Sequence, residues 1–110
     1  MSELVSLQCQ FAGMVAKLIE EAQRRGYQIT LGELYRPPVL AELYAKQGKG
    51  IRNSLHTAKL AIDIALFRDG EYLTDSADYR ALHEWWQSIG GAPMIPNDGN
   101  HFSMAYQGRR

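Results

Sequence analysis

Three residues that lie far apart in the chain have side chains able to bind one metal ion: His56, Asp63 and His101. Two imidazoles and one carboxylate, with a fourth position open to water, form a ligand set that suits catalytic zinc. Their spacing does not fix the geometry by itself, because no single helix carries the ligands as it does in an H-E-x-x-H motif. The tertiary fold must therefore bring the three residues together.

Asp63 is unusual because it interrupts the apolar run LAIDIALF, residues 60–67. This run predicts a strand in which Asp63 shares one face with Ala61 and Ala65, two small residues that leave room beside the carboxylate. A carboxylate in a central strand is costly to desolvate unless a cation or strong donors meet it. A metal ion would satisfy it, and so would backbone amides or an arginine, so the strand alone leaves these alternatives open.

Two flanking segments contain the histidines. His56 precedes Asp63 by seven positions, and His101 begins a predicted final strand over residues 101–106. If the two strands are neighbours, both rings reach Asp63. Asp98 stands three residues before His101 in a turn with Gly99. It could accept a proton from a zinc-bound water, whose pKa the cation lowers to about 7, and pass it to a leaving amine. The alternative is an Asx turn, in which Asp98 bonds only its own backbone.

The elements that must position these residues form a small α+β fold. Apolar residues at helical spacing and capping residues predict helices, and alternating residues predict strands. The chain should be a single domain, residues 1–110, with about three helices packed against one side of a short, mainly antiparallel sheet. The predicted helices are 2–25, 39–47 and 76 or 78 to 89; the predicted strands are 27–31, 60–67, 72–73 and 101–106. Ser2 and Gly26 are predicted to cap the first helix, residues 51–59 to be irregular, and Asp69-Gly70 to form a tight turn.

Composition excludes several classes of protein. The chain has 110 residues and balances twelve basic against twelve acidic residues, so no overall field attracts nucleic acid. Cys9 is the only cysteine, which excludes an intramolecular disulfide and a Cys-rich zinc module. We see no signal peptide and no apolar segment of about 20 residues. The protein is expected to be a monomer made in a cytoplasm, without stable membrane insertion.

Taken together, the motifs resemble the zinc peptidase family of D-alanyl-D-alanine carboxypeptidases and L-alanyl-D-glutamate endopeptidases. The family pattern is S-x-H, six residues, D, and then a distant D/E-x-x-H. It appears here as Ser54-Leu55-His56, Asp63, and Asp98-Gly99-Asn100-His101. The segments GYQITLGELYR (26–36), GKGIRNSLHTAKLAIDIALFRDGEYL (48–73) and DGNHFSM (98–104) are similar to the compact phage-endolysin branch. The likeness covers nearly the whole chain.

This resemblance implies a Hedgehog/D-Ala-D-Ala peptidase-like fold and a Zn²⁺ cofactor held by His56, Asp63 and His101. It implies that Asp98 is the catalytic base and that Arg36 faces the substrate, where it binds a carboxylate or polarises the scissile carbonyl. Ser54 matches a serine near the substrate, although a local loop hydrogen bond explains it equally well. The implied substrate is a peptidoglycan stem peptide, reached from the host cytoplasm after the membrane is permeabilised.

Two departures and two alternatives accompany this interpretation. Many relatives carry Trp-Gly-Gly where this chain has Ile89-Gly90-Gly91, and the loop of residues 92–97 is particular to this sequence. Both departures bear on the cleft wall and on substrate choice. A bacterial-type D-alanyl-D-alanine carboxypeptidase or dipeptidase would use the same metal site. A non-catalytic zinc-stabilised module, for wall binding or phage structure, is the other alternative. Asp98 argues against that module, because a structural zinc site fills its fourth position with another ligand.

Overall fold

The computed structural model describes residues 1–110 and shows the α+β architecture that the sequence predicts. Three α-helices flank a four-stranded sheet, and two short 3-10 helices connect them. The helices are α1 Glu3–Arg24, α2 Pro38–Lys46 and α3 Arg80–Ser88; the strands are β1 Gln28–Leu31, β2 Ala61–Arg68, β3 Glu71–Tyr72 and β4 His101–Ser103; the 3-10 helices are Leu55–Ala58 and Ser76–Tyr79.

Strand β2 is the centre of the sheet, and every pairing in the sheet is antiparallel. It pairs with β1 along one edge, where Ile64 lies opposite Leu31. The other edge is shared: β4 pairs with the beginning of β2, and β3 pairs with its end. The β2–β3 turn has Asp69 and Gly70 at φ values of 52° and 78°, which suits the tight Asp-Gly turn predicted from the sequence.

Helix α1 covers the core face of the sheet. Ser2 caps its first turn by accepting a hydrogen bond from the Val5 N–H at 3.2 Å, and Gly26 follows its end at a φ of 90°. Its buried stripe faces the apolar residues of β2 and consists of Phe11, Met14, Leu18 and Ala22. No helix in the structure has both the length and the apolar character needed to span a membrane.

The two faces of β2 differ as predicted. One face is buried in the core and consists of Leu60, Ile62, Ile64 and Leu66. On the other face Ala61 is buried too, whereas Asp63, Ala65 and Phe67 are partly exposed. Trp86 of α3 also packs into the core. It is fully buried, and its indole Nε1–H donates to the Ser103 carbonyl at 2.8 Å. The core therefore fixes β2 and β4 and leaves the Asp63 face free for a site.

Two local predictions were wrong. The last strand ends at Ser103 rather than Tyr106, because its partner β2 begins at Ala61, after Lys59 has turned into a left-handed conformation at a φ of 58°. Residues beyond Met104 therefore have no strand to pair with, and Tyr106 pairs with Arg109 in a turn. The polar segment before β2, predicted to be irregular, contains the 3-10 helix Leu55–Ala58.

We predict opposite stability effects for two Gly→Ala substitutions. A methyl group on Gly91 would lie 2.1 Å from the Trp86 ring, so Gly91→Ala must displace a fully buried indole. We expect it to lower the free energy of unfolding by about 1–3 kcal/mol. Gly13 lies within α1 with open space around it, so Gly13→Ala should raise stability by about 0.5–1 kcal/mol. Urea unfolding of both variants tests the packing, and a neutral Gly91→Ala would contradict it.

Candidate metal centre and cleft

The pairing of β2 with β4 places Asp63 directly opposite His101. The backbone N–H and C=O of Asp63 bond to Glu33 at 2.9 Å and Gly32 at 2.7 Å, on the β1 side. Asp63 and His101 therefore form a pair without mutual backbone hydrogen bonds, the arrangement that brings opposite side chains closest. His101 Nδ1 lies 3.5 Å from Asp63 Oδ1. The strand register alone creates this contact.

His56 reaches the same carboxylate from the 3-10 helix that precedes β2. The Ser54 hydroxyl caps this helix by accepting the His56 backbone N–H at 3.2 Å. His56 Nδ1 lies 2.9 Å from the Leu34 carbonyl, and because a carbonyl only accepts, Nδ1 carries the proton. The other nitrogen, Nε2, then faces Asp63 Oδ1 at 3.2 Å. A backbone carbonyl that fixes the tautomer in this way is typical of metal-binding histidines.

The three side chains form a cluster that could hold a metal ion, since one ligand atom from each lies within 4.8 Å of the others. When His56 is neutral, its Nε2 and the Asp63 oxygen present lone pairs to each other at 3.2 Å. Two acceptors at this distance repel each other unless a proton or a metal cation lies between them. The donor set of two imidazole nitrogens and one carboxylate suits zinc. The residues present therefore fit the cofactor that the sequence indicates.

The close contacts in the cluster shift the pKa values of both Asp63 and His56. Burial alone would raise the pKa of the Asp63 carboxyl, but hydrogen bonds with His101 and His56 outweigh it and hold that pKa below its usual range. Burial alone would lower the pKa of His56, but its hydrogen bond with Asp63 and the nearby Asp63 charge raise it above its usual value. The Asp63 carboxylate thus favours a proton on His56 in the metal-free protein, in the position where a metal would be held.

The cluster lies at the base of a cleft of about 340 Å³. All six residues predicted for the site line this one cleft: Arg36, Ser54, His56, Asp63, Asp98 and His101. Asp98 is half-buried, and its carbonyl accepts the His101 N–H at 3.1 Å. No backbone N–H donates to its carboxylate, whereas the Asp75 carboxylate accepts the Ala77 N–H in an Asx turn. The Asp98 carboxylate is therefore available to the cleft.

Arg36 is held in place beside the cleft. Its guanidinium forms an ion pair with Glu33 and lies over the Tyr44 ring, 5.1 Å from the ring centroid. Its side chain is only 13% exposed. Because the guanidinium is already fixed, its remaining donors can bind an anionic ligand with little further loss of side-chain entropy.

Several residues of the site were not predicted from the sequence. Glu33 orients Arg36, and its Oε1 also lies 3.9 Å from His56 Nδ1. The i,i+3 spacing of Glu33 and Arg36 was the one sequence feature that could have indicated this ion pair. The contribution of Leu34 is a backbone carbonyl and has no sequence signature. Lys49 and Ile95 line the cleft from loops whose positions depend on the tertiary fold.

A larger depression of about 540 Å³ opens beside α3. Charged and polar residues such as Asp75, Arg80 and Glu84 line it, and none of the three candidate ligands does. We assign the site to the smaller cleft, because only that cleft combines a possible metal-binding cluster with a second carboxylate and a fixed arginine.

The fold is similar to that of a peptidase of known structure. The crystal structure of Serratia marcescens L-Ala D-Glu endopeptidase ChiX aligns with a TM-score of 0.65 and 18% sequence identity, covering 87% of this chain and 80% of that chain. No protein-family model matches the sequence. No curated protein matches it either. The comparison defines a peptidase-like α+β fold for this chain.

We predict that the cluster binds a divalent cation and that Asp63→Asn weakens the binding. Loss of a direct ligand should lower the affinity for Zn²⁺ by at least about 100-fold, more than the loss of a supporting residue. Asp69→Asn removes the same charge from an exposed turn and should bind as the wild type does. Isothermal titration calorimetry of the three proteins measures this. Equal affinities would place the metal elsewhere.

The same titration should depend on pH with a definite sign. A protonated His56 cannot bind a metal, and its pKa lies above the usual 6.5. Proton competition should therefore begin above that value and weaken binding steadily as the pH falls, with protons released on binding. A constant affinity between about pH 8 and pH 5.5 would exclude His56 as a ligand.

Proposed function

We propose that this protein is a zinc-dependent peptidase that hydrolyses a stem-peptide bond of peptidoglycan, of the L-alanyl-D-glutamate endopeptidase type. The single observation that carries the proposal is the cluster of His56, Asp63 and His101 at the base of a cleft that Asp98 also lines. The likeness of the fold to an L-Ala D-Glu endopeptidase and the family motifs in the sequence support it.

The metal would be held by His56 through Nε2, by the Asp63 carboxylate, and by His101 through Nδ1, the nitrogens that face Asp63. When bound, a zinc ion supplies Lewis-acid chemistry, polarising an amide carbonyl and making a water molecule more acidic. The protein contributes an anionic ligand that is already half-buried and two rings that are already oriented. This preorganisation limits the entropy lost when the site is loaded.

Asp98 would act as the general base and then as the general acid. Its carboxylate lines the cleft beside the ligands, accepts no backbone hydrogen bond and is half-buried. In this role it would accept a proton from the attacking water and return that proton to the leaving amine of the cleaved peptide. Proton transfer by a positioned side chain contributes about 10²–10⁴-fold to the rate.

The cations of the cleft suit an acidic substrate. Arg36 and Lys49 both line it, and Arg36 is fixed by Glu33 and Tyr44. A glutamyl residue next to the scissile bond carries a free carboxylate that such a guanidinium can bind, or Arg36 can polarise the scissile carbonyl. Ser54 lines the same cleft, although its hydroxyl already accepts the His56 N–H. We propose that Ser54 contacts the substrate through its remaining donor.

The biological setting is proposed on the family motifs. The segments 26–36, 48–73 and 98–104 are similar to phage endolysins, which accumulate in the host cytoplasm and act on the cell wall once the membrane is permeabilised. We propose this role, with the chain acting as a monomer, and the bacterial-type D-alanyl-D-alanine peptidase as the competing assignment.

We predict that Asp98→Asn abolishes cleavage while leaving the metal bound. Wild-type protein loaded with Zn²⁺ should solubilise purified peptidoglycan, and mass spectrometry of the fragments should show new L-alanine C-termini and D-glutamate N-termini. Asp98→Asn should reduce turnover by at least about 100-fold, because proton transfer is lost. Its zinc content should remain at the wild-type level, since Asp98 is not a ligand.

The control is Asp69→Asn, which should retain full activity. Released D-alanine in place of new L-alanine ends would assign the protein to the carboxypeptidase or dipeptidase group. An Asp98→Asn variant that cleaves as fast as the wild type would remove Asp98 from the mechanism. No cleavage by the zinc-loaded wild type would favour a non-catalytic module.

A further inference from the structure

His83 of α3 is buried behind the candidate site and forms a hydrogen bond with the turn that contains Asp98. The residue is 3% exposed, its ring stacks on Phe102 with centroids 3.8 Å apart, and Nε2 lies 2.7 Å from the Gly99 carbonyl. Because that carbonyl only accepts, Nε2 is the protonated nitrogen. Burial lowers the pKa of His83 to about 4, so the ring is neutral near pH 7 and acts as a fixed donor.

Ser76 binds the other backbone polar group of Gly99. Its Oγ accepts the Gly99 N–H at 3.0 Å. The approach is close, since a methyl group on Gly99 would lie 2.8 Å from the Ser76 Cα. Both backbone polar groups of Gly99 are thus bonded to side chains from one continuous segment, the 3-10 helix Ser76–Tyr79 and α3. We call this pair of contacts the Gly99 clamp.

The Gly99 clamp contributes more to the position of Asp98 than to that of His101. His101 is fixed by its register opposite Asp63 in the sheet. The sheet also holds Asn100, whose carbonyl accepts the Ile64 N–H at 2.9 Å. Asp98 lies beyond this ladder, and its own backbone bonds stay within the turn, to Ile95 and His101. The Gly99 clamp joins this turn to the body of the protein next to Asp98.

We propose that Ser76 and His83 are positioning residues that hold the Asp98 carboxylate at its working place in the cleft. The inference rests on the proposed function, in which Asp98 transfers the proton. The two residues act through the Gly99 backbone and touch neither substrate nor metal. They should therefore govern the rate of the chemical step, while the metal ligands and the substrate-facing arginine keep their positions.

Two variants test the clamp. His83→Phe preserves an aromatic ring to stack on Phe102 and removes the donor to Gly99. Ser76→Ala removes one partly exposed hydroxyl and should fold as the wild type does. Each should lower kcat by about 10- to 100-fold, the range expected when a supporting contact is lost or a reacting group is misplaced, with KM and Zn²⁺ affinity within about threefold of wild type. Leu18→Ala, a buried change in α1, controls for general destabilisation and should leave kcat unchanged at a temperature where all variants are folded.

A double-mutant cycle separates positioning from a structural role. Adding His83→Phe to Asp98→Asn should cause little further loss, because the residue being positioned has already lost its function. A full additional 10-fold loss would overturn the inference. So would a wild-type kcat in both single variants.

A second readout does not depend on peptidase activity. The amide of Gly99 should exchange with solvent faster in both variants, as measured by NMR, while the amide of Phe102 in β4 remains protected. If the wild type proves inactive, the proposed function fails, and this exchange pattern alone decides whether the clamp orders the turn. Unchanged protection of Gly99 in both variants would show that it does not.

Discussion

The structure depends on one electrostatic constraint: a carboxylate placed within the central strand of a small domain. Asp63 lies in β2 between strands on both edges, and the two buried imidazoles of His56 and His101 face it. Desolvating a carboxylate is costly, and the lone pair that a neutral His56 turns toward Asp63 adds to that cost. A proton on His56 relieves this repulsion in the metal-free protein, and a divalent cation would relieve it in the loaded one.

The rest of the fold can be understood as the means of keeping that charge site in one geometry. The buried apolar residues of β2 anchor the strand in the core, the register with β4 sets His101, and the Leu34 carbonyl fixes the His56 tautomer. A rigid site limits the reorganisation required for metal binding and for catalysis. The cleft then adds the two groups that the proposed peptidase would use beside its metal: a free carboxylate at Asp98 and a fixed cation at Arg36.

Much of this could be predicted from the sequence because the strongest signals are local. The apolar run around Asp63 identified the central strand and its two faces, and Ser2 and Gly26 marked the ends of α1. The six site residues were predicted from the residue types, their spacing and the family resemblance, and the structure brings all of them to one cleft. The assignment of roles to them remains a proposal.

The remaining features depend on tertiary contacts that leave no local pattern. The last strand stops at Ser103 because its partner β2 begins at Ala61, not because the alternation of residues ends there. Leu34 contributes a carbonyl, which any residue could provide. His83 lies in the middle of a helix, apart in sequence from the motifs, and its bond to Gly99 depends on how α3 packs against β4.

Anomalous X-ray diffraction from crystals grown with Zn²⁺ tests the central claim most directly. The account predicts one peak at the zinc edge, about 2.0–2.2 Å from His56 Nε2, an Asp63 oxygen and His101 Nδ1. A peak bound elsewhere on the chain would contradict it. So would crystals with no peak in which the two imidazoles keep their direct contacts with Asp63.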